Sequence, residues 1–341
     1  MNNRRAIAAT IAVLSLCASA ALGGDRDLLV ASPAGSGVMR FDHPSGAGLG
    51  TFLNGLPGAN YVTTGPDGNL YVTDLAVNGV LKFDGTSGAY LGVFIAAGAG
   101  GLDGPQGLAF DPDGNLWVGS TFPPRIHRFN GQTGAYIDTP IGAGLLVPGG
   151  LAITSDWLVY SVCTPCQKVH RYNAITQQAI VFLDHTSIAH PYGLTVGPEG
   201  DLFVTCTDDV DSVKRYSPDA VLVSEYTSPL LDDPFDVKIG PDRRVYVSAT
   251  ATSNIVLFDY ESATDLGQFA ALGRGEPARG IAFTVDQCPA DFDADGFVTG
   301  LDFDAFVVAF EEGAWNADFD HDGFVTGLDF DAFVAAYETG C

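Results

Sequence analysis

The sequence predicts an all-β six-bladed propeller over residues 25–286, followed by a small α-helical domain over 287–341 that contains two acidic loops. Three observations lead to this fold class. A unit of four short strands recurs about every 40–45 residues, which is typical of propeller blades. The numbers of first-strand and second-strand copies agree only if the blades form a closed ring. A 12-residue acidic motif then occurs twice near the end of the chain, each time before a helical pattern.

Residues 105–137 show the repeated unit most clearly, with the sequence PQGLAFDPDGNLWVGSTFPPRIHRFNGQTGAYI. Residues 107–110 and 115–120 are β-type runs on either side of the turn sequence DPDG. Residues 125–129 and 135–137 are two further runs on either side of an Asn-Gly hairpin signal. One such antiparallel sheet cannot bury both of its faces, whereas copies stacked side by side can. The unit therefore predicts one propeller blade.

Six copies of the inner core of this unit can be counted. An aromatic residue of the third strand recurs at steps of 42, 46, 43, 44 and 42 residues, as Phe41, Phe83, Phe129, Tyr172, Tyr216 and Phe258. The predicted core pairs of the second strand are Leu29-Val30, Tyr71-Val72, Trp117-Val118, Val159-Tyr160, Phe203-Val204 and Tyr246-Val247. Six blades follow from this count.

The ring is predicted to close through the last strand of the repeat region. First-strand segments recur around Tyr61, Leu108, Leu151, Leu194, Val237 and Ile281. The first blade therefore lacks a first strand at its own N-terminal side, and the copy at 277–283 is left over. We predict that 277–283 completes blade 1, an arrangement that also removes exposed sheet edges.

The N-terminal residues are predicted to be a secretory signal peptide, residues 1–20, rather than part of the fold. Arg4 and Arg5 precede a short apolar run at 6–16, and Ala18-Ser19-Ala20 has the form of a cleavage site. A twin-arginine export route and lipidation at Cys17 are the alternatives. We therefore expect a secreted or surface-associated protein of bacterial type. No later segment of the sequence is long and apolar enough to span a membrane.

The charge of the chain restricts its partners. The formal net charge is −25, and residues 287–341 contain thirteen acidic residues and no Lys or Arg. This balance excludes nucleic acid and anionic membrane surfaces as expected partners. It favours the binding of cations.

The acidic segment predicts two calcium loops of the EF type. Carboxylates at loop positions 1, 3, 5 and 12, with Gly at position 6, are the ligand pattern of such loops. The backbone carbonyl at position 7 adds a ligand, and the side chain at position 9 acts through water. The predicted ligands are Asp291, Asp293, Asp295, Phe297, Thr299 and Asp302 in the first loop, and Asp318, Asp320, Asp322, Phe324, Thr326 and Asp329 in the second. We expect two bound calcium ions.

The twin loops, each followed by one helix, resemble a type I dockerin domain. The resemblance covers about 55 residues and implies a domain that folds on calcium and docks onto a cohesin-like or other surface receptor. The ending Thr339-Gly340-Cys341 is similar to dockerin-like C-terminal anchors of secreted bacterial proteins.

The repeat GLAFDPDGNLWV and its sister copies resemble the NHL-repeat and gluconolactonase-like propellers. In lactonases of that group, Glu, Asn and Asp residues at the inner-strand entrances hold one cation over the tunnel. The corresponding positions here read Asn60, Gln106, Gly149, Tyr192, Asp236 and Arg279, with Glu276 just before the last. Asn60, Gln106, Tyr192, Asp236, Glu276 and Arg279 are therefore the candidate ligand site. Gln106, Tyr192 and Arg279 make the lactonase metal set incomplete.

The cysteines and histidines carry weaker signals. Cys288 and Cys341 stand at the two ends of the acidic segment, and we predict a disulfide between them. Cys163, Cys166 and Cys206 lie in or after second strands of neighbouring blades, and the sequence does not determine which two pair. A redox or metal role of the Cys163-x-x-Cys166 motif is the alternative. His127 and His170, at equivalent third-strand positions, are predicted to face solvent.

Two function classes agree with these patterns. The first is an exported, non-catalytic binding or scaffold propeller that is attached to a surface or extracellular assembly through its calcium-dependent tail. The second is a secreted lactonase-like or lyase-like enzyme with the same tail. The first is preferred because no complete catalytic set is found, and one propeller scaffold supports many functions.

Overall fold

The computed structural model describes residues 26–34, 37–142, 148–154, 156, 158–163, 167–207, 210–273, 275–284, 290, 292, 300–312, 317, 319 and 325–339. In this part of the chain the strands of the first three blades in sequence are β1 (Leu28–Ser32), β2 (Gly37–Phe41), β3 (Gly48–Leu53), β4 (Ala59–Thr64), β5 (Leu70–Asp74), β6 (Gly79–Phe83), β7 (Tyr90–Ile95), β8 (Pro105–Phe110), β9 (Leu116–Thr121), β10 (Pro124–Phe129) and β11 (Tyr136–Ile141).

The remaining elements follow in the same order. The strands are β12 (Pro148–Ile153), β13 (Leu158–Cys163), β14 (Lys168–Asn173), β15 (Gln178–Leu183), β16 (Pro191–Val196), β17 (Leu202–Cys206), β18 (Ser212–Tyr216), β19 (Leu222–Thr227), β20 (Pro234–Ile239), β21 (Arg244–Ala249), β22 (Asn254–Asp259), β23 (Asp265–Ala271) and β24 (Ile281–Phe283). The helices are α1 (Gly300–Glu312) and α2 (Gly327–Thr339). None of the described helices has the length and apolar character needed to cross a membrane.

The strands form six four-stranded antiparallel sheets, so the predicted six-bladed propeller is confirmed. Blades 2 to 6 are the consecutive sets β4–β7, β8–β11, β12–β15, β16–β19 and β20–β23, each with its strands paired in chain order. Blade 1 has the order β24-β1-β2-β3, so a strand from the end of the repeat region joins the first three strands. The ring is therefore closed by hydrogen bonds within one sheet.

The closing strand is shorter than the segment 277–283. Only Ile281–Phe283 is a regular strand, paired with β1 from Val30↔Ile281 to Leu28↔Phe283. Before it, Ala31 N donates to Gly280 O at 2.8 Å, and Arg279 N donates to Ala31 O at 2.9 Å. The pairing with β1 thus continues through two irregular residues towards the tunnel.

The blades pack through one large side chain of each second strand. Tyr71, Trp117, Tyr160, Phe203 and Tyr246 occupy this position in blades 2 to 6 and are all buried. Three of them make edge-to-face contacts with outer-strand rings, Tyr71 with Phe94, Tyr160 with Phe182 and Tyr246 with Phe269, at centroid distances of 4.8, 5.2 and 5.0 Å. Such contacts add to the area that these rings bury.

The predicted core pair of blade 4, Val159-Tyr160, is buried, but its register differs by one residue from that of the other blades. Ile153 pairs with Val159 as Phe110 pairs with Leu116, so Tyr160 is the counterpart of Trp117. The sequence TSDW before this strand lacks the Pro-Asp or Pro-Glu pair that precedes the second strand in blades 2, 3, 5 and 6, so no such marker fixes the register from sequence.

His127 does not face solvent, which corrects a second prediction. Its side chain is fully buried, and Nδ1 lies 2.9 Å from Thr139 Oγ1 of the outer strand. The rings of Phe129 and Tyr136 cover it, each with its centroid 6.2 Å away. Burial, and then the neighbouring Arg125, lower the pKa of His127, so the neutral imidazole is favoured. His170 is half-buried.

The two C-terminal helices form a separate aromatic core. Phe306 of α1 and Phe333 of α2 are fully buried and stack with their ring centroids 4.0 Å apart and their planes 5° from parallel. Other phenylalanines pack around this pair, namely Phe292, Phe303, Phe310, Phe319 and Phe330. The predicted helices are therefore present and bury the expected apolar side.

Candidate functional site

The strand register defines which side chains stand at the entrance end of the tunnel. The last residue of each first strand pairs with the first core residue of the second strand, as in Thr64↔Leu70 and Ile239↔Val245. Counting back from this pair gives one equivalent entrance position in every blade: Asn60, Gln106, Gly149, Tyr192, Phe235 and Arg279. Phe235 therefore occupies the entrance position of blade 6, and the assignment of Asp236 to it is corrected.

The next position along each first strand is glycine in four blades. A Cβ on Gly107, Gly150, Gly193 or Gly280 would lie 2.5, 2.9, 2.3 or 2.5 Å from the nearest backbone atom of the following blade. Real Cβ atoms do not make such contacts, so glycine permits the backbones of neighbouring inner strands to approach closely. We call these four contacts the glycine junctions.

Tyr61 and Asp236 take the glycine position in the other two blades. We call these contacts, blade 2 with blade 3 and blade 6 with blade 1, the side-chain junctions. At the first, Asn60 Nδ2 donates to Gln106 Oε1 at 2.9 Å. At the second, Ile281 N donates to Asp236 Oδ2 at 3.0 Å. Side-chain hydrogen bonds thus join the blades at the two positions where glycine is absent.

Three aromatic rings fill the entrance end of the tunnel. The ring of Phe235 lies 5.0 Å from that of Tyr61 and 5.0 Å from that of Tyr192. Tyr61 belongs to blade 2 and Phe235 to blade 6, which are not neighbours, so their contact is made across the tunnel. The exposed fractions are 4% for Tyr61 and 7% for Phe235. These three residues, the aromatic plug, block access to the tunnel from this end.

Arg279 lies over the aromatic plug and is held by Asn60. Its guanidinium carbon is 5.5 Å from the centroid of Phe235, and its Nη1 donates to Asn60 Oδ1 at 2.9 Å. Gln106 completes the chain by donating from Nε2 to Thr121 Oγ1 at 3.2 Å. Hydrogen bonds therefore link the polar entrance residues into one chain, and the guanidinium group puts a positive charge over the plug.

Asp236 is a buried carboxylate with a complete set of partners. It is 1% exposed, and Lys238 Nζ donates to its Oδ1 at 2.9 Å and to its Oδ2 at 3.0 Å. Val237 N also donates to Oδ1, at 2.9 Å, and Ile281 N donates to Oδ2. Three donor groups thus make four hydrogen bonds to the two oxygens, which leaves the carboxylate committed to structure rather than to a metal ion.

The predicted ligand site is brought together except for one residue. Asn60, Gln106, Tyr192 and Arg279 lie at the entrance end, with Asp236 one position further in. Glu276 lies instead in a turn before Arg279, where Glu276 N donates to Gly273 O at 3.0 Å. Within the described residues no three His, Cys, Asp or Glu side chains are grouped so that they could hold a metal ion. The entrance residues do not fit the divalent cation of a lactonase.

A cavity of about 320 Å³ lies in the tunnel beyond the aromatic plug. Its walls are formed by the middle and C-terminal parts of β4, β8, β12 and β16, together with Asp236 and Lys238. Tyr61 contributes to the wall, but its hydroxyl is buried away from the cavity and has no hydrogen-bond partner among the described residues. Burial, and then the charge of Asp236, raise the pKa of Tyr61 well above its usual value, so the phenol stays protonated.

Three of the predicted calcium ligands lie in the described part of the tail. Asp302 and Asp329 are fully buried in the first turns of α1 and α2, and Thr326 is exposed. Asp329 Oδ1 accepts from Phe319 N, and Asp329 Oδ2 accepts from Thr326 N, both at 2.7 Å. The other predicted ligands are outside the described residues, as are Cys288 and Cys341: Asp291, Asp293, Asp295, Phe297, Thr299, Asp318, Asp320, Asp322 and Phe324.

Comparison with known proteins gives fold relatives but no family. No family model matches the chain, and no curated protein matches it. One similar solved structure is a nidogen–laminin complex, with 16% identity and a TM-score of 0.66 over 77% of this chain and 99% of that chain. Another is an inactive virginiamycin B lyase from Staphylococcus aureus with quinupristin, at 15% identity and TM-score 0.54 over 78% of this chain and 94% of that one.

A streptogramin B lyase is also similar, with 17% identity and a TM-score of 0.54 over 68% of this chain and 89% of that chain. Identities this low show the propeller fold alone. The similar structures include both a protein–protein complex and lyases, so the fold by itself does not select between binding and catalysis.

Sequence reasoning missed Tyr61, Phe235 and Lys238 as residues of the tunnel. The signal that could have found them is the glycine that follows the entrance position in four copies of the repeat. Aligning PFDV with PQGL on their proline places Phe235 at the entrance and Asp236 at the glycine position. A side chain at a position that is glycine in the other blades marks a blade junction that is packed differently from the rest of the ring.

Proposed function

We propose that this chain is an exported binding propeller, attached to a surface or extracellular assembly through a calcium-dependent dockerin-like tail. One observation carries the choice of binding over catalysis. The entrance end of the tunnel is filled by the aromatic plug, and the nearby polar groups, including Asp236, are paired with protein donors. A catalytic cation would need oxygen ligands that point into open space.

The enzyme alternative, a lactonase or lyase, is supported by the fold similarity to two lyases. It requires a divalent ion or a free acid–base pair at the tunnel. In the lactonase arrangement that ion would lie where Arg279 places a guanidinium group, and Coulomb repulsion disfavours a second cation so near. We therefore place catalysis second.

The tail residues fit calcium by their charge. Two carboxylates, Asp302 and Asp329, are fully buried, and residues 287–341 contain no Lys or Arg; the backbone N–H groups that Asp329 accepts from leave its negative charge in place. Burial of a carboxylate is costly unless a positive charge or several donors compensate it. Calcium supplies that charge, so ion binding would stabilise the folded tail. The cohesin-like receptor and the Cys288–Cys341 disulfide are part of this proposal.

The first experiment counts calcium ions on the full chain by equilibrium dialysis. We expect two ions, and we expect Asp302→Ala and Asp329→Ala each to remove one, because each deletes the carboxylate that closes a loop. Asp304→Ala and Asp331→Ala, at exposed positions of the same helices, are the matched controls and should retain both ions. A chain that binds no calcium, or loses none in the two loop variants, would contradict the proposed tail.

The same measurement separates the two function classes. Binding predicts that Asp236→Asn leaves the ion count at two. A third tightly bound divalent ion that Asp236→Ala or Glu276→Ala removes, together with turnover of any compound in a panel of lactones, would establish the enzyme alternative instead.

A further inference from the structure

We propose that the tunnel cavity binds a small uncharged molecule, which enters from the tunnel end opposite the aromatic plug. The proposal rests on the proposed binding function and specifies where the ligand lies and what its chemistry is. The opening, the charge and the size of the cavity each support it.

The exposure of the inner strands shows where the cavity opens. In β4, β8, β12, β16 and β20 the last two residues are partly exposed, whereas the residues just after the entrance are buried. Thr64, Phe110, Ile153 and Val196 are such last residues, and all four line the cavity. The cavity is therefore reached from the C-terminal ends of the first strands.

The cavity carries no net charge. The charged side chains that line it are Asp236 and Lys238, which neutralise each other at 2.9 Å. The other walls combine aliphatic side chains such as Leu108, Leu151 and Leu194 with a few threonines. An ion entering this space would lose hydration without gaining a free partner of opposite charge. An uncharged molecule with an apolar body loses little hydration free energy on entering, and it buries apolar surface there.

The size of the cavity limits the size of such a ligand. The volume of about 320 Å³ lies at the lower end of the range for small-molecule sites. A small alcohol, ketone or lactone has these properties.

The test uses three probes with one apolar body and different head groups: cyclohexanol, cyclohexanecarboxylate and cyclohexylammonium. Binding to the full chain is measured by ligand-observed NMR titration. We expect cyclohexanol to bind at least about 10-fold more tightly than either ion, because both ions must be desolvated. Absence of cyclohexanol binding at concentrations up to about 50 mM, or equal binding of all three probes, would overturn the proposal.

One substitution locates the bound probe. Ala152→Leu fills the cavity and should abolish binding. Ala76→Leu, the same change at an exposed position outside the cavity wall, is the control and should leave the affinity unchanged. Binding that Ala152→Leu does not reduce lies elsewhere and contradicts the assignment.

The outcome is independent of the proposed tail and of catalysis. The calcium count and the lactone panel decide the proposed function, whereas the probe titration decides the cavity. Cyclohexanol binding can fail while two calcium ions are still bound, and it can succeed in a chain that proves to be an enzyme.

Discussion

The glycine junctions and the side-chain junctions solve the same packing problem in two ways. At the glycine junctions, neighbouring inner strands approach until no Cβ fits, as where a Cβ on Gly193 would be 2.3 Å from Phe235 O. At the side-chain junctions no glycine is present, and hydrogen bonds from Asn60 and to Asp236 join the blades. A side-chain hydrogen bond also crosses the Gly280 junction, from Arg279 to Asn60. At this strand position, glycine permits close packing of neighbouring inner strands in four blades, whereas Tyr61 and Asp236 shape the tunnel interior in the other two. This difference makes an otherwise repetitive ring asymmetric.

The largest effect is expected where a glycine junction is blocked. In Gly280→Ala the new Cβ would be 2.5 Å from Tyr61 Cα and 2.8 Å from Asn60 O, both of them backbone atoms that cannot rotate away. We expect a loss of about 3 kcal/mol or more in the free energy of unfolding, since the two blades must separate. Urea denaturation followed by tryptophan fluorescence measures it.

Gly142→Ala is the control for that substitution. Among the described residues no atom lies within 4 Å of a Cβ at Gly142, so alanine should change stability by no more than about 1 kcal/mol. If Gly280→Ala were as stable as Gly142→Ala, the close approach of blades 1 and 2 would be wrong, and with it the distinction between the two kinds of junction.

A smaller loss is expected at the side-chain junction between blades 6 and 1. Asp236→Asn keeps the shape of the side chain and an oxygen for Ile281 N but removes the charge that faces Lys238. We expect a cost of about 2–3 kcal/mol, because one partner of a largely buried ion pair is left uncompensated. Thermal unfolding at neutral pH is the measurement.

The Arg128–Asp138 pair provides a matched comparison for Asp236. Its guanidinium–carboxylate distance is 2.7 Å, but Asp138 is 45% exposed, and such surface pairs contribute little. Asp138→Asn should therefore shift the melting temperature much less than Asp236→Asn. Equal shifts would show that the Asp236 carboxylate does not hold the ring together.

The comparison also explains which parts of the molecule could be predicted from sequence. Blade number and closure follow from recurring turn residues and third-strand aromatics, because turn chemistry is local and repeats with the fold. The helices of the tail follow from Phe303, Phe306 and Phe310, which have helical spacing. Blade 4, whose turn lacks a marker, is the place where the register was shifted by one residue.

The candidate site was less predictable for a physical reason. The sequence correctly grouped Asn60, Gln106, Tyr192 and Arg279, since equivalent positions of a ring converge on its axis. It could not show that the rings of Tyr61 and Phe235 meet across the tunnel, because that contact depends on the tunnel diameter and on side-chain rotamers. As a possible metal ligand, the Asp236 carboxylate resembles an entrance residue more than its neighbour Phe235 does. The glycine register nevertheless assigns the entrance position of blade 6 to Phe235.

The smallest expected effect is the one at Tyr61, and it is diagnostic because it is small. Among the described residues the Tyr61 hydroxyl has no partner, so Tyr61→Phe removes an unsatisfied polar group and keeps the ring contact with Phe235. We expect stability to be unchanged or raised by up to about 1 kcal/mol.

In Tyr71→Phe, by contrast, the lost hydroxyl donates to Asp67 Oδ2 at 2.9 Å, and we expect a loss of about 1–2 kcal/mol in the free energy of unfolding. A destabilised Tyr61→Phe chain would instead mean that this hydroxyl already has a structural partner, and the side-chain junction of blades 2 and 3 would depend on it.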